Sequence, residues 1–295
     1  MKRGAIFAAM LMLVLSAGLS AQLSEVKDPN SPAGGSVGTD SEATGGPDGF
    51  GYTFEDSAEP TCPFNFIDIT GTGTSVGGGD DAGFPVVLSE SFTFYGVDYT
   101  DLAFTSNGYL ATDPTDTGPD LSNDCPLPST PSTGGGARIY PLHDDLITAD
   151  LLVEYFASCP RASDRCQVAE ACTIFYWDDV NHFGATDLWD MQAILYHASG
   201  DIVTQVGAGN PETGSGSTTG IQNDGASIGL TYACDTAASV ADDSAVCFRS
   251  PDALPVGTCL APNVLEVPTA STYGLMALFG LLALAALVML RRRAA

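Results

Sequence analysis

Residues 86–110 read VVLSESFTFYGVDYTDLAFTSNGYL. Phe92 and Phe94 stand two apart with Thr93 between them, and Phe104 stands two from Leu102. Side chains along a strand point alternately to opposite faces, so this spacing puts the aromatics on one buried face. β-Branched and aromatic residues dominate the stretch. Asn107-Gly108 is a pair that favours a turn because both residues tolerate positive φ. The stretch predicts antiparallel strands joined by tight turns.

The same texture recurs on either side. Residues 64–70 (FNFIDIT), 151–157 (LLVEYFA), 173–177 (TIFYW), 188–197 (LWDMQAILYH), 201–206 and 227–233 read as strands, and Gly200-Asp201 closes a hairpin. Residues 71–83 read as a Gly/Asp turn region. Residues 112–136 carry five prolines and a glycine triplet and read as a long loop tied down through Cys125. With 33 glycines and 18 prolines among 295 residues, a helical bundle is excluded. The expected fold class is all-β, an antiparallel β-sandwich or jelly-roll-like ectodomain over residues 50–262, with Phe92, Phe94, Phe104 and Trp177 in its core.

The two ends have other periods. Lys2 and Arg3 precede an apolar run at 5–15 and then small residues, so 1–21 reads as a signal peptide. Residues 22–49 read as a flexible acidic linker. In the segment 263–295, residues 274–290 are seventeen uncharged positions followed by Arg291, Arg292 and Arg293. A helix of that length reaches about 25 Å at 1.5 Å per residue, enough to span a bilayer as a transmembrane helix. The arginines would hold its end in the cytoplasm. An export signal in front then puts the middle of the chain outside the membrane.

That middle is strongly acidic. The whole chain carries a formal charge of -26, and between residues 22 and 272 all 36 acids face five basic side chains, leaving -31. Repulsion from phosphates excludes general nucleic-acid binding. Eight cysteines, Cys62, Cys125, Cys159, Cys166, Cys172, Cys234, Cys247 and Cys259, all lie between the end segments. In an exported protein they predict up to four disulfides. Cys234–Cys247 and Cys159–Cys172 are the local pairs expected from the loops they bracket.

Catalytic signatures are weak. Gly73-Thr74-Ser75-Val76-Gly77 fits G-x-S-x-G, but it sits in a Gly/Thr/Asp run without the strand-to-helix turn of a nucleophile elbow. His143, His182 and His197 show no paired metal-ligand spacing. Loop carboxylates suit calcium, which takes six to eight oxygens, and Asp80, Asp81, Asp144 and Asp145 are the candidate structural set, although no EF-hand run is present. No other cofactor is expected.

Two resemblances stand on particular residues. Val267-Pro268-Thr269-Ala270-Ser271-Thr272-Tyr273-Gly274, the apolar helix and Arg291, Arg292 and Arg293 together resemble bacterial C-terminal sorting signals of the IPTL type, with Val for Ile, Tyr for Trp and Ala270 for Leu. That resemblance implies a membrane sorting protease as partner, with Val267, Pro268, Thr269, Ser271, Tyr273 and Gly274 as the motif it reads. Phe94-Tyr95-Gly96, Ser106-Asn107-Gly108-Tyr109-Leu110, Pro141-Leu142-His143-Asp144-Asp145, Trp177 and Gly220-Ile221-Gln222-Asn223 resemble, in order, a nidogen-like extracellular β domain. It implies a non-enzymatic module for adhesion, matrix association or surface display. Its partner would be matrix, a glycan or a surface protein, at the cell envelope or after release by processing. The alternative is an extracellular hydrolase acting on glycans or peptides.

Overall fold

The computed structural model describes residues 44–162 and 170–251. The expected signal peptide, transmembrane helix and sorting motif, with Cys166 and Cys259, lie outside those residues, and no described helix is long and apolar enough to cross a membrane. Fourteen strands follow one another: β1 Thr44–Gly45, β2 Thr53–Asp56, β3 Thr74–Asp80, β4 Gly83–Phe94, β5 Val97–Thr105, β6 Leu110–Ala111, β7 Arg138–His143, β8 Leu146–Phe156, β9 Cys172–His182, β10 Trp189–Tyr196, β11 Ile202–Val206, β12 Thr218–Gln222, β13 Gly229–Cys234 and β14 Ser244–Arg249. They form an eight-stranded sheet in the order β1-β2-β14-β11-β10-β9-β8-β3 and a six-stranded sheet in the order β13-β12-β7-β6-β5-β4. Every pairing is antiparallel. The fold is the β-sandwich that the alternating runs predict.

Strand β9 explains the layering. Phe175, Trp177 and Val180 join Phe92, Phe94 and Phe104 in the core between the sheets. The intervening Ile174 and Tyr176 join a second core on the other side of the same sheet. Trp177 is fully buried, meets Phe104 edge-on at 4.6 Å and donates its indole N–H to the Thr105 carbonyl at 2.7 Å, bonding one sheet to the other. Burying an aromatic side chain of this size contributes about 1.5–3 kcal/mol.

The second core shows why one expected strand is not a strand. Residues 64–70 pair with no β-strand; with Cys62 they form a strap over the outer face of the eight-stranded sheet, where Phe64, Phe66, Ile67 and Ile69 cover Ile174, Tyr176, Ile194 and Tyr196. The Gln205 side chain stands in for a strand, accepting from the Asn65 N–H at 2.7 Å and donating to its carbonyl at 3.0 Å. Alternation reports which face is buried and not whether the backbone pairs. The expected turn region 71–83 is likewise corrected, because Thr74–Asp80 forms edge strand β3 against β8. Its glycines permit the close pairing: a Cβ on Gly78 would stand 2.3 Å from the Ala149 carbonyl oxygen.

Turn chemistry shows a similar split. Gly108 has φ +75, and a Cβ there would stand 1.9 Å from the Leu142 oxygen, so glycine is required. Asn107 does not take positive φ; its side chain donates to Asp120 O and Asp81 Oδ1 and accepts from the Leu146 N–H. The two-residue turn with both φ positive is Tyr95-Gly96, joining β4 to β5. The last residues of the expected linker are also structured, since β1 pairs with β2 and Asp48 Oδ1 accepts from the N–H groups of Phe50, Gly51 and Tyr52.

Among the described residues three disulfides staple the domain: Cys62–Cys247, Cys125–Cys234 and Cys159–Cys172. The expected Cys234–Cys247 pairing is corrected. Residues 235–243 cross from β13 in one sheet to β14 in the other, so those two cysteines belong to different sheets. Cys247 instead holds the strap, and Cys234 holds the long loop. Cys159 and Cys172 bridge as the local reading has it.

Candidate functional site

Strand β7 carries Arg138 at one end and His143 at the other, and a candidate site grows from the turn that follows. Loop 112–136 lies over the outer face of the six-stranded sheet, packed through Leu127 on Ala103, Tyr109, Ala111 and Tyr140. Arg138 pins it from below. Its guanidinium reaches Asp116 at 2.9 Å and Asp120 at 3.1 Å, with all three side chains fully buried, and it lies 4.4 Å from the centroid of the Tyr109 ring. It also donates to the Thr133 carbonyl. Burial raises the Asp116 carboxyl above its ordinary value despite Arg138; Asp120, where burial is outweighed by His143 and Arg138, falls below it. The loop is a cover fastened by one buried guanidinium shared between two carboxylates.

Past His143 the chain turns through Asp144 and Asp145 into β8. The β8–β9 register pairs Leu146 with His182, which brings the end of β9 beside that turn. His182 Nδ1 lies 2.8 Å from Asp144 Oδ2 and 3.9 Å from Glu212 Oε2, a residue of the loop between β11 and β12. The Trp189 ring lies against the imidazole, with centroids 5.9 Å apart. Side-chain exposure is 13% for His182, 21% for Asp144 and 17% for Glu212, so the group is mostly shielded from water. Burial opposes the charged imidazole, but the Asp144 hydrogen bond and the Glu212 charge outweigh it and raise His182. Burial pushes the Glu212 carboxyl up, with His182 opposing and Asp144 adding to the rise.

The expected calcium set divides here. Asp144 belongs with His182 and Glu212, while Asp80, Asp81 and Asp145 bring carboxylate oxygens within 4.8 Å of one another at the β3–β4 turn. Asp178, Asp179 and Asp190 make another oxygen-only group at the irregularity between β9 and β10. The group of Cys125, Cys234 and Asp235 has both sulfurs in a disulfide and offers no thiolate.

The other histidines are placed differently. His143 is fully buried, and its ring nitrogens face the carbonyl oxygens of Asn107 at 2.7 Å and Ser122 at 2.9 Å. His197 faces the Ser91 carbonyl and the Thr173 hydroxyl. Ser75 of the G-x-S-x-G run lies on edge strand β3, exposed, and donates to Asp150 at 2.5 Å. Phe92, Phe94, Phe104 and Trp177 are core residues and form no exposed stacking platform.

Sequence reading missed the pairing of His182 with Asp144 and gave Glu212 no role. No curated protein and no solved structure matches the chain. A family model described as NIDO related matches residues 51–253, which takes in every strand from β2 to β14. The chain belongs to the NIDO-related family.

Proposed function

We propose that this is an exported, non-catalytic β domain that acts by adhesion, matrix association or surface display. The observation that carries the reading is the NIDO-related match over a sandwich closed by three disulfides, a covalent framework suited to an oxidising exterior. The placement of the basic side chains supports it. Arg138, Arg161 and Arg249 are buried, engaged respectively by Asp116 and Asp120, by the Tyr196 hydroxyl and Pro63 carbonyl, and by Glu55, Asp201 and the Thr61 carbonyl. Among the described residues no other Lys or Arg occurs, so the surface that those residues present carries acids and no arginine or lysine. Such a surface stays soluble and meets cationic or cation-bridged partners. Delivery rests on the tail: the sorting protease reads Val267, Pro268, Thr269, Ser271, Tyr273 and Gly274 and removes the helix with Arg291, Arg292 and Arg293.

Binding of the full-length purified protein to an array of glycans and matrix proteins tests the reading, run beside a turnover assay on the same glycans and peptides. Saturable binding without turnover is the expected result. Hydrolysis that a single active-site substitution abolishes would replace this reading with the hydrolase. For delivery, the intact mass of surface-released protein should lack residues 274–295.

A further inference from the structure

The geometry points to a divalent transition-metal site, of the zinc class, formed by Asp144, His182 and Glu212. Two donor atoms on one metal with bonds of about 2.1 Å lie no more than about 4.2 Å apart. The 2.8 Å from His182 Nδ1 to Asp144 and the 3.9 Å from the same nitrogen to Glu212 meet that limit, and all three donors lie within 4.8 Å of one another. An imidazole nitrogen with two carboxylates suits zinc and its first-row neighbours, whereas calcium and magnesium prefer oxygen alone. The site differs in that respect from the oxygen-only groups at Asp80 and Asp178.

An independent observation concerns orphaned polar atoms. Trp189 Nε1 is buried without a hydrogen-bond partner, and His182 Nε2, Glu212 Oε1, Asn210 Nδ2 and Ser217 Oγ are buried with no more than the loose side-chain bonds of Ser217 to the Glu212 carboxylate and of Asn210 to the His182 ring. Native interiors leave few such atoms, and each asks for an explanation. Ser217 is fully buried and Asn210 is 3% exposed; the first stands at the Glu212 carboxylate and the second at the His182 ring. They surround the donors as the outer partners of a metal centre do. Charge gives the same answer. Asp235 feels the Asp144 carboxylate, and no described arginine forms an ion pair with Asp144, Glu212 or Asp235. A bound dication would neutralise these acids and tie the β7–β8 turn, the end of β9 and the β11–β12 loop together.

The test uses full-length protein in detergent, stripped with a chelator and titrated with Zn²⁺ by calorimetry. One equivalent should bind in the wild type. His182→Ala and Glu212→Gln should each weaken it by about 100-fold or more, while the exposed Asp224→Asn leaves it unchanged. Co²⁺ substitution with X-ray absorption covers the case in which His182→Ala does not fold: one imidazole in the first shell is expected. Binding that survives both ligand variants, a first shell of oxygen alone, or no stoichiometric binding in the wild type would each overturn the site.

Discussion

Two acidic clusters flank the strand β7 and the turn after it, and they are neutralised in opposite ways. Asp116 and Asp120 are fully buried against Arg138, which answers both carboxylates at once and stacks on Tyr109. Asp144 and Glu212 are partly exposed and have only His182 between them. The first cluster is built around a permanent cation that bonds both acids and fastens a cover to its sheet. The second has only a titratable imidazole in place of a permanent cation, with the buried Trp189 N–H beside it left without a partner. The difference teaches that acids in this chain are not all solvated surface: those at the sandwich end are arranged around a position that a cation would complete.

The largest effect that could break this comparison is removal of the compensating guanidinium. Arg138→Met leaves two carboxylates buried and unpaired, and an uncompensated buried charge costs about 3–5 kcal/mol. Urea denaturation should show that loss. Glu212→Gln in chelator should instead shift stability by less than about 1 kcal/mol, because no completed pair is lost. Equal losses in the two variants would erase the distinction.

Next comes the covalent tie on the cover loop that carries the first cluster. Cys125–Cys234 ties the cover loop to β13, and opening it by Cys125→Ala with Cys234→Ala should cost about 2–5 kcal/mol. Non-reducing peptide mapping should find it with Cys62–Cys247 and Cys159–Cys172. Recovery of a Cys234–Cys247 peptide would contradict the pairing described here.

A smaller effect concerns the exterior. With every described arginine internal, the surface acids repel one another, and salt screens them over about 10 Å at 0.1 M. The melting temperature should rise between about 10 mM and about 1 M NaCl. A flat response would mean that the exterior charge is already neutralised.

The smallest lies at Asp113, at the start of the cover loop. Hydrogen bonds from the Thr115 hydroxyl and amide hold its carboxyl below the ordinary value of 3.8. A folded value below the unfolded one means stabilisation that is present above about pH 4 and lost as pH falls through the folded value. A carbon-detected NMR titration should place Asp113 below 3.8 and move it up in Thr115→Ala.

The two clusters were unequally legible in sequence. Strands β9 and β10 could be read because their aromatic and aliphatic runs fill two cores. Strand β3 could not, since glycine has no side chain with which to show a period. Arg138 is one of few basic residues, yet nothing local ties it to Asp116 and Asp120, which precede it by 22 and 18 positions. Asp144 stands out in sequence as one of the loop carboxylates grouped with Asp80, Asp81 and Asp145. Its actual partner, His182, arrives through the register of an eleven-residue strand pair. Glu212 sits in a loop whose composition gives no period at all. Contacts set by strand register were invisible wherever no pattern marked both partners.

Differential scanning calorimetry of chelator-stripped full-length protein, at fixed ionic strength, tests the contrast most directly. Micromolar Zn²⁺ should raise the melting temperature of the wild type and of Arg138→Met alike, and leave His182→Ala unmoved, while equal Mg²⁺ does little to any of them. A Zn²⁺ shift of the same size in His182→Ala, or equal shifts from Zn²⁺ and Mg²⁺ in the wild type, would contradict the claim that the Asp144–His182–Glu212 cluster is the incomplete one.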